Sequence, residues 1–164
     1  MAALTKMAAE RRALRRTGDG GKRIEHLALS LAGEKYAVPI AHVGEILRLP
    51  PITEVPRAPR DVLGVISVRG RLVTVVDLRR RLGVQEAPFD GKTRILLSDV
   101  GLAESIGLIV DEVHQVWRFA ADEIEAASVL GGEPPAHIAG LGRPAGGNGE
   151  VFVILNLRPI LAAL

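Results

Sequence analysis

The chain has no cysteine, few aromatic residues and no long apolar run, and each absence excludes a class of protein. Without cysteine, its 164 residues cannot form a disulfide, a thiolate metal site or a cysteine nucleophile. One Trp, one Tyr and three Phe are too few for the stacking platforms with which small barrels bind single-stranded nucleic acid. No apolar run approaches the roughly 18 residues of a membrane span, and arginines at 11, 12, 15 and 16 interrupt the place of a signal-peptide core. These absences predict a soluble, cytoplasmic protein without membrane insertion.

Motifs for catalysis and metal binding are also missing. The four histidines match no two-ligand spacing such as His-Glu-x-x-His: His26, His42, His114 and His137. No Gly-x-Ser-x-Gly nucleophile elbow occurs, and the Gly-rich segment 140–149 lacks the Lys-Ser/Thr of a phosphate loop. We therefore predict a protein that is not an enzyme and that uses no metal, cofactor or small-molecule substrate.

The positive charge is concentrated at the N-terminus. Residues 1–23 hold seven of the 21 basic side chains and two of the 19 acidic ones, so the rest of the chain, with 14 basic and 17 acidic residues, is slightly acidic. Segment 2–16 is rich in good helix formers, and 17–21 then breaks any helix. We expect a flexible, partly helical basic arm over 1–23. Its charge is interpreted as that of a solvated tail, with non-specific attraction to phosphates as the alternative.

From residue 24 onward, short apolar runs separated by Gly, Pro and polar turns predict a mostly β structure. The expected strands are 26–31, 36–40, 43–49, 64–68, 72–76, 94–99, 105–111, 113–119, 137–141 and 151–155. Helical turns are expected at 120–126, at 156–164 and after Asp77, which would cap a turn that Gly83 ends. Arg69-Gly70-Arg71 predicts a hairpin with glycine at its tip.

The second half of the chain repeats the first. Segment 27–30 resembles 95–98 at an offset of 68 residues, 40–49 resembles 110–119 at 70, 64–65 resembles 140–141 at 76, and 75–79 resembles 154–158 at 79. Four matches in the same order indicate a duplication, and a unit of five short strands is best closed as a small barrel. We predict barrels at about 24–84 and 92–164, leaving open an exchange of strands at the termini.

Segment 64–82, GVISVRGRLVTVVDLRRRL, resembles the CheW family of chemotaxis coupling proteins. Supporting matches are 43–46, 107–113 and 140–142, and the resemblance runs from about residue 24 to 164. It implies two Src-homology-3-like five-stranded barrels packed side by side. It also implies a scaffold, recruited to receptor arrays at the inner face of the membrane, that links chemoreceptor signalling tips to the histidine kinase CheA. One barrel would dock on the regulatory domain of the kinase, and a groove between barrels would receive the helical hairpin of the receptor.

The resemblance places partner-binding residues on the first repeat. Val43 and Ile46 would supply apolar contacts, although burial in the barrel core is an equally open alternative for both. Arg69 would present its planar fork of donors to a carboxylate or to helix-end carbonyls, unless it is an ordinary solvated hairpin arginine. We further hypothesise that Glu45 and Arg69 pair with each other and set the shape of the groove.

Gly64 and Gly70 are predicted to serve backbone geometry rather than direct contact. The family's Asn-Leu before Arg-Gly is Ser67-Val68 here, and the basic arm is not a usual family feature. One alternative within the fold is a variant coupling protein of a non-flagellar chemosensory pathway. An alternative from another class is a small-barrel nucleic-acid-binding protein that uses the basic arm.

Overall fold

The computed structural model describes residues 22–127, 132–133 and 135–162, so the predicted arm lies outside the described residues except for Lys22 and Arg23. The described part is mostly β, which confirms the predicted class, and none of its helices is long and apolar enough to cross a membrane. Its strands are β1 (Ile24–Leu31), β2 (Glu34–Pro39), β3 (Val43–Arg48), β4 (Val62–Val68), β5 (Arg71–Asp77), β6 (Arg94–Ser98), β7 (Ile106–Val110), β8 (Glu112–Phe119), β9 (Ile124–Ala126), β10 (Ile138–Gly142) and β11 (Phe152–Leu155). Helices α1 (Leu78–Leu82) and α2 (Leu157–Ala162) follow β5 and β11.

The strands form two sheets that share one plan. The six-stranded sheet has the order β8-β1-β2-β11-β10-β9, and the five-stranded sheet has the order β3-β6-β7-β5-β4. Neighbouring strands are antiparallel except for β2 beside β11 and β5 beside β7. Both orders therefore read as an edge strand, a hairpin, and a second hairpin joined to the first in parallel.

Each sheet takes strands from both halves of the chain. Hairpin β1–β2, from the first half, lies in the six-stranded sheet with β8 to β11, and hairpin β6–β7, from the second half, lies in the five-stranded sheet with β3 to β5. The two repeats have thus exchanged their leading hairpins. The division of the sequence into 24–84 and 92–164 separates the repeats, whereas the hydrogen-bonded sheets divide the chain differently.

Strand registers locate the equivalent positions of the repeats. Thr74 lies opposite Ile106 and Val153 opposite Tyr36, which fits the offsets of 79 and 70 residues. Gly64 opposite Val75 and Gly140 opposite Ile154 fit the offset of 76.

The offset of 68 for the leading hairpins is wrong, and its true value is 69. Leu27 lies opposite Val38 and Leu96 lies opposite Leu108, so Leu27 corresponds to Leu96. Both of these leucines face the same core, whereas their neighbours face outer clusters. Matching apolar letters missed the correct value because a shift of one residue moves every side chain of a strand to its other face.

Three apolar clusters hold the fold together. A central core receives buried side chains from both sheets and both helices, among them Leu27, Leu96, Leu78 and Leu157. Two outer cores lie against single sheets: an aliphatic one of Ile66, Val73, Val75, Ile95, Leu97 and Ile109 in the five-stranded sheet, and one of Ala28, Ala37, Phe119, Phe152 and Ile154 in the six-stranded sheet. Each fully buried Leu or Phe contributes about 1.5–3 kcal/mol relative to an exposed one.

The helical predictions have mixed outcomes. Asp77 caps α1 by accepting the amide of Arg79 at 3.0 Å, and Gly83 ends α1 in the left-handed region, as the sequence indicates. The helix expected at 120–126 is wrong: Ala121–Glu123 is a single 3₁₀ turn, and β9 follows it to pair with β10. Edge pairing overrides local propensity here, since an unpaired β10 edge would leave backbone groups without partners.

A buried ion-pair network joins the two sheets. Arg79 is 2% exposed and donates to both carboxylate oxygens of Asp77, at 3.0 and 2.9 Å, and to Asp111 at 2.9 Å. Asp111 accepts in turn from the amide of Ala32, at 2.8 Å, in the turn of hairpin β1–β2. Because α1 continues the five-stranded sheet and Ala32 belongs to the six-stranded one, this arginine connects the sheets through one carboxylate.

The second repeat makes the reciprocal connection more simply. Arg158 of α2 corresponds to Arg79 and donates to the carbonyl of Val100, in the turn of hairpin β6–β7, at 2.8 Å. Each helix thus holds the exchanged hairpin that lies in the opposite sheet.

Replacing Arg79 by alanine is expected to lower the free energy of unfolding by about 3–5 kcal/mol, because it leaves two carboxylates facing each other in a poorly solvated site. Urea unfolding measures the loss. Arg80→Ala is the matched control: this neighbouring side chain is 31% exposed and pairs with Glu86 at the surface, so its removal should change stability by about 1 kcal/mol or less. Equal effects of the two changes would contradict a central role for Arg79.

Gly64→Ala should also unfold the protein readily. Gly64 has a φ of 147°, and a Cβ there would lie 2.1 Å from the carbonyl oxygen of Thr53, which pairs with Val65 across the β4 edge. We expect a loss of about 3 kcal/mol or more in the free energy of unfolding. Gly91→Ala, at a position with open space and an ordinary φ, should change it by less than about 0.5 kcal/mol.

Stability should fall below neutral pH because of His26. This ring is 3% exposed, packs edge-on against Phe119 at 5.1 Å, and its burial lowers its pKa below the ordinary 6.5. The unfolded chain therefore binds a proton before the folded one does, so stability is lost as pH falls from 6.5 through the folded pKa. His26→Phe should flatten the pH dependence of urea unfolding in this window, and an unchanged slope would contradict the assignment.

Candidate functional site

Glu45 and Arg69 form a two-pronged ion pair at the edge of the five-stranded sheet. Arg69 Nη1 donates to Glu45 Oε1 at 3.1 Å, and Nη2 donates to Oε2 at 2.6 Å. The predicted pairing is confirmed. Two parallel hydrogen bonds fix the relative orientation of the two planar groups, which a single contact would not do.

The hairpin between β4 and β5 determines where Arg69 points. Val68 pairs with Arg71, so the turn has only Arg69 and Gly70 between the strands. Both have positive φ, 49° and 80°, as the tightest hairpin turns require. Gly70 meets this requirement without strain and, as predicted, serves backbone geometry. The turn lifts the Arg69 side chain away from the sheet and leaves it 73% exposed.

The two partners of this pair differ in accessibility. The side chain of Glu45 is 18% exposed, and the hydrogen bonds from Arg69 lower its pKa, so the carboxylate stays ionised. The same hydrogen bonds raise the pKa of Arg69. Of the five N–H donors of a guanidinium, the carboxylate accepts two, so the others remain directed at solvent or at a binding partner.

A groove of about 580 Å³ opens beside this pair and is termed here the first groove. Its lining includes Val68, Arg69, Arg71, Leu72 and Leu97, with Glu104 on the far side. Leu72 is 77% exposed, the largest exposure among the large apolar side chains of the described residues. The arrangement offers an apolar surface bordered by charges of both signs, which suits an amphipathic protein segment.

The other predicted residues lie differently. Val43 is 8% exposed and packs in the central core, so its position fits the core alternative. Ile46 is partly buried and packs against the same core. Gly64 lies beneath the Thr53 backbone, where it serves close approach rather than contact with a partner. Only Glu45, Arg69 and Gly70 of the six predicted residues come together at the surface.

Sequence reasoning missed Leu72 and Glu104 as members of this surface. The period of two in a strand gave a signal for Leu72, since Val73 and Val75 are buried and Leu72 lies on the opposite face. No comparable signal exists for Glu104, because it reaches the groove through the parallel pairing of β5 with β7.

Proteins with related sequences include PilI of Pseudomonas aeruginosa, 35% identical over 58% of this chain and 53% of PilI, so the matched part spans about half of that relative. FrzA of Myxococcus xanthus is 31% identical over 77% of this chain and 78% of FrzA. Among solved structures, the scaffolding protein TtCheW from Thermoanaerobacter tengcongensis has a TM-score of 0.75 and 27% identity, over 85% of this chain and 92% of TtCheW.

The family model described as the CheW-like domain matches residues 25–164, which is nearly all of the chain outside the basic arm. The matched region contains both sheets, both helices and the Glu45–Arg69 pair. On this match, together with the likeness of fold, the chain belongs to the CheW-like domain family.

Proposed function

We propose that this protein is a non-catalytic scaffold of chemosensory signalling that couples the cytoplasmic tip of a chemoreceptor to a CheA-type histidine kinase. The observation that carries the proposal is the two-pronged Glu45–Arg69 pair beside an open, partly apolar groove, within a chain of the CheW-like domain family. The protein would work in the cytoplasm, at the inner face of the membrane that holds the receptors.

The first groove suits the helical hairpin of a receptor tip. A helix can place apolar side chains against Leu72 and Val68 while its polar positions face the charged border. The outward donors of Arg69 would bind a carboxylate or the unpaired carbonyls at a helix end. The kinase would dock through its regulatory domain on one of the two sheets, so that both partners are held at once.

A variant coupling protein of a non-flagellar pathway is the second candidate. Matches to proteins named PilI and FrzA, beside others named chemotaxis protein CheW, favour it. Nucleic-acid binding through the arm has weaker support, because the body is slightly acidic and Arg23 pairs with Glu123 at 2.8 Å.

Coupling predicts a complex of three components. A receptor signalling fragment and a CheA-type kinase should both retain this protein in co-sedimentation at physiological salt. If neither retains it, the coupling proposal fails. Binding of RNA or DNA with a steep salt dependence, lost on deleting residues 1–23, would instead favour the nucleic-acid alternative.

Reversing the charge of Arg69 separates binding from folding. Arg69→Glu should weaken receptor binding about tenfold or more, because it places two carboxylates together and removes the donors. The midpoint of thermal unfolding should stay near that of the unchanged protein, since the pair lies at the surface. A large fall in that midpoint would show that Arg69 is structural.

The charge-swapped variant Glu45→Arg with Arg69→Glu then tests how the pair acts. It restores the ion pair with reversed polarity, so binding would return if the pair only shapes the groove. We expect binding to stay weak, because the exposed position now repels the carboxylate of the partner. Affinities from isothermal titration calorimetry decide between the two outcomes.

A further inference from the structure

A second groove of about 580 Å³ lies in the six-stranded sheet, away from the Glu45–Arg69 pair. Its lining includes Ala28, Lys35, Trp117, Gly146, Glu150 and Phe152. Strands β1, β2, β8 and β11 contribute these side chains, together with the loop between β10 and β11. None of them belongs to the site predicted from sequence.

The second groove occupies the same place in its sheet as the first groove does in the other sheet. At the offsets that the strand registers establish, four residues lining one groove correspond to four residues lining the other: Ala28 to Leu97, Lys35 to Ser105, Glu150 to Arg71 and Phe152 to Val73. The loop between β10 and β11 stands where the Arg69–Gly70 turn stands. The duplication therefore produced two docking positions on one protein.

The chemistry of the two grooves has diverged. Gln115 stands in place of Glu45, so the charged clamp of the first groove is absent from the second. Lys35 and Glu150 pair with each other at 2.7 Å, and His114 Nε2 lies 2.5 Å from the hydroxyl of Ser30. Because these groups satisfy one another, the border of the second groove has no net charge and favours an uncharged occupant.

The floor of the second groove is aromatic. The rings of Trp117 and Phe152 lie 5.7 Å apart, and those of Phe119 and Phe152 lie 6.0 Å apart. Three of the five aromatic residues of the chain thus cluster in and behind this groove. Phe152 is 3% exposed and Ala28 is 1% exposed, so the floor is recessed and a side chain can be inserted over it. Recessed aromatic pockets are where single apolar side chains contribute most to binding.

The topology argues against docking of an added strand. Strands β1, β2 and β11, which form the floor, are each hydrogen-bonded to a neighbour on both sides, so they offer no free backbone edge. A polyproline segment docks between raised aromatic ridges, and here the rings are sunk. Gly146 and Gly147 at the lip carry no side chains, so the backbone of a helix can approach closely.

We propose that the second groove binds an α-helix of a partner protein, which inserts one bulky apolar side chain, flanked by uncharged residues, over Trp117 and Phe152. The bound partner is other than the one held at Glu45 and Arg69. The proposal rests on the proposed function only for the identity of that partner. Two different grooves allow two partners to bind together without competition, which is what a coupling protein requires.

Trp117 is the only tryptophan of the chain and therefore reports on its own groove. A receptor signalling fragment and a kinase regulatory domain, both free of tryptophan, are titrated separately into the full chain. We expect one of them, the one insensitive to Arg69→Glu, to shift Trp117 emission to shorter wavelength and to protect it from acrylamide. Glu150→Arg, which leaves two cations at the border, should weaken that binding about tenfold. The matched change in the first groove, Arg71→Glu, should leave it unaffected.

Three outcomes would overturn the second-groove proposal. Both partners could bind without changing Trp117 emission, Glu150→Arg could leave both affinities unchanged, or the emission could shift with the concentration of this protein alone, which would indicate self-association. If neither partner binds, the proposed function fails, and a short uncharged peptide held as a helix with one leucine decides the matter. A shift of the Trp117 indole N–H resonance at millimolar peptide supports the groove, and no shift refutes it.

Discussion

The guanidinium of Arg79 is the one group on which the arrangement of both sheets depends. It is almost fully buried between Asp77, which caps the helix after the five-stranded sheet, and Asp111, which holds the turn of the hairpin in the six-stranded sheet. A carbonyl of Ala87 at 2.6 Å and the ring of Phe89 at 5.2 Å complete its surroundings. Burying such a charge is costly unless every donor is satisfied, so the network forms only when both sheets are in place. The apolar central core supplies the driving force for packing, and this ion pair supplies its geometry.

The exchange of hairpins explains why a duplicated chain makes one compact unit rather than two separate ones. Neither repeat can complete a sheet alone, because its leading hairpin lies in the sheet of the other repeat. The same exchange places the two grooves at equivalent positions of the two sheets. Divergence then acted on matched positions: a charged clamp of Glu45 and Arg69 in one groove, and a neutral border over Trp117 in the other. A difference in chemistry at equal geometry is a direct way for a scaffold to tell two partners apart.

The candidate site was only partly predictable, for reasons that differ from residue to residue. The pairing of Glu45 with Arg69 follows once the hairpin is recognised, because the two charges then have few other positions to occupy. The burial of Val43 does not follow, since an apolar residue at a strand start reads the same whether it faces a core or a partner. The second groove was beyond prediction because its floor unites residues as distant as Ala28, Trp117 and Phe152. Local patterns carry no information about such long-range contacts.

The sequence by itself determined the β class, the duplication, the capped turn from Asp77 to Gly83 and the tight turn at Arg69-Gly70. These features depend on the alternation of apolar residues and on glycine, which act over a few neighbouring positions. Tertiary structure alone decided which hairpin joins which sheet, that segment 124–126 is a strand rather than a helix, and that the leading hairpins correspond at 69 residues rather than 68. The physical reason is that each of these depends on pairing between distant segments, where the exposed edge of one strand selects its partner regardless of local propensity.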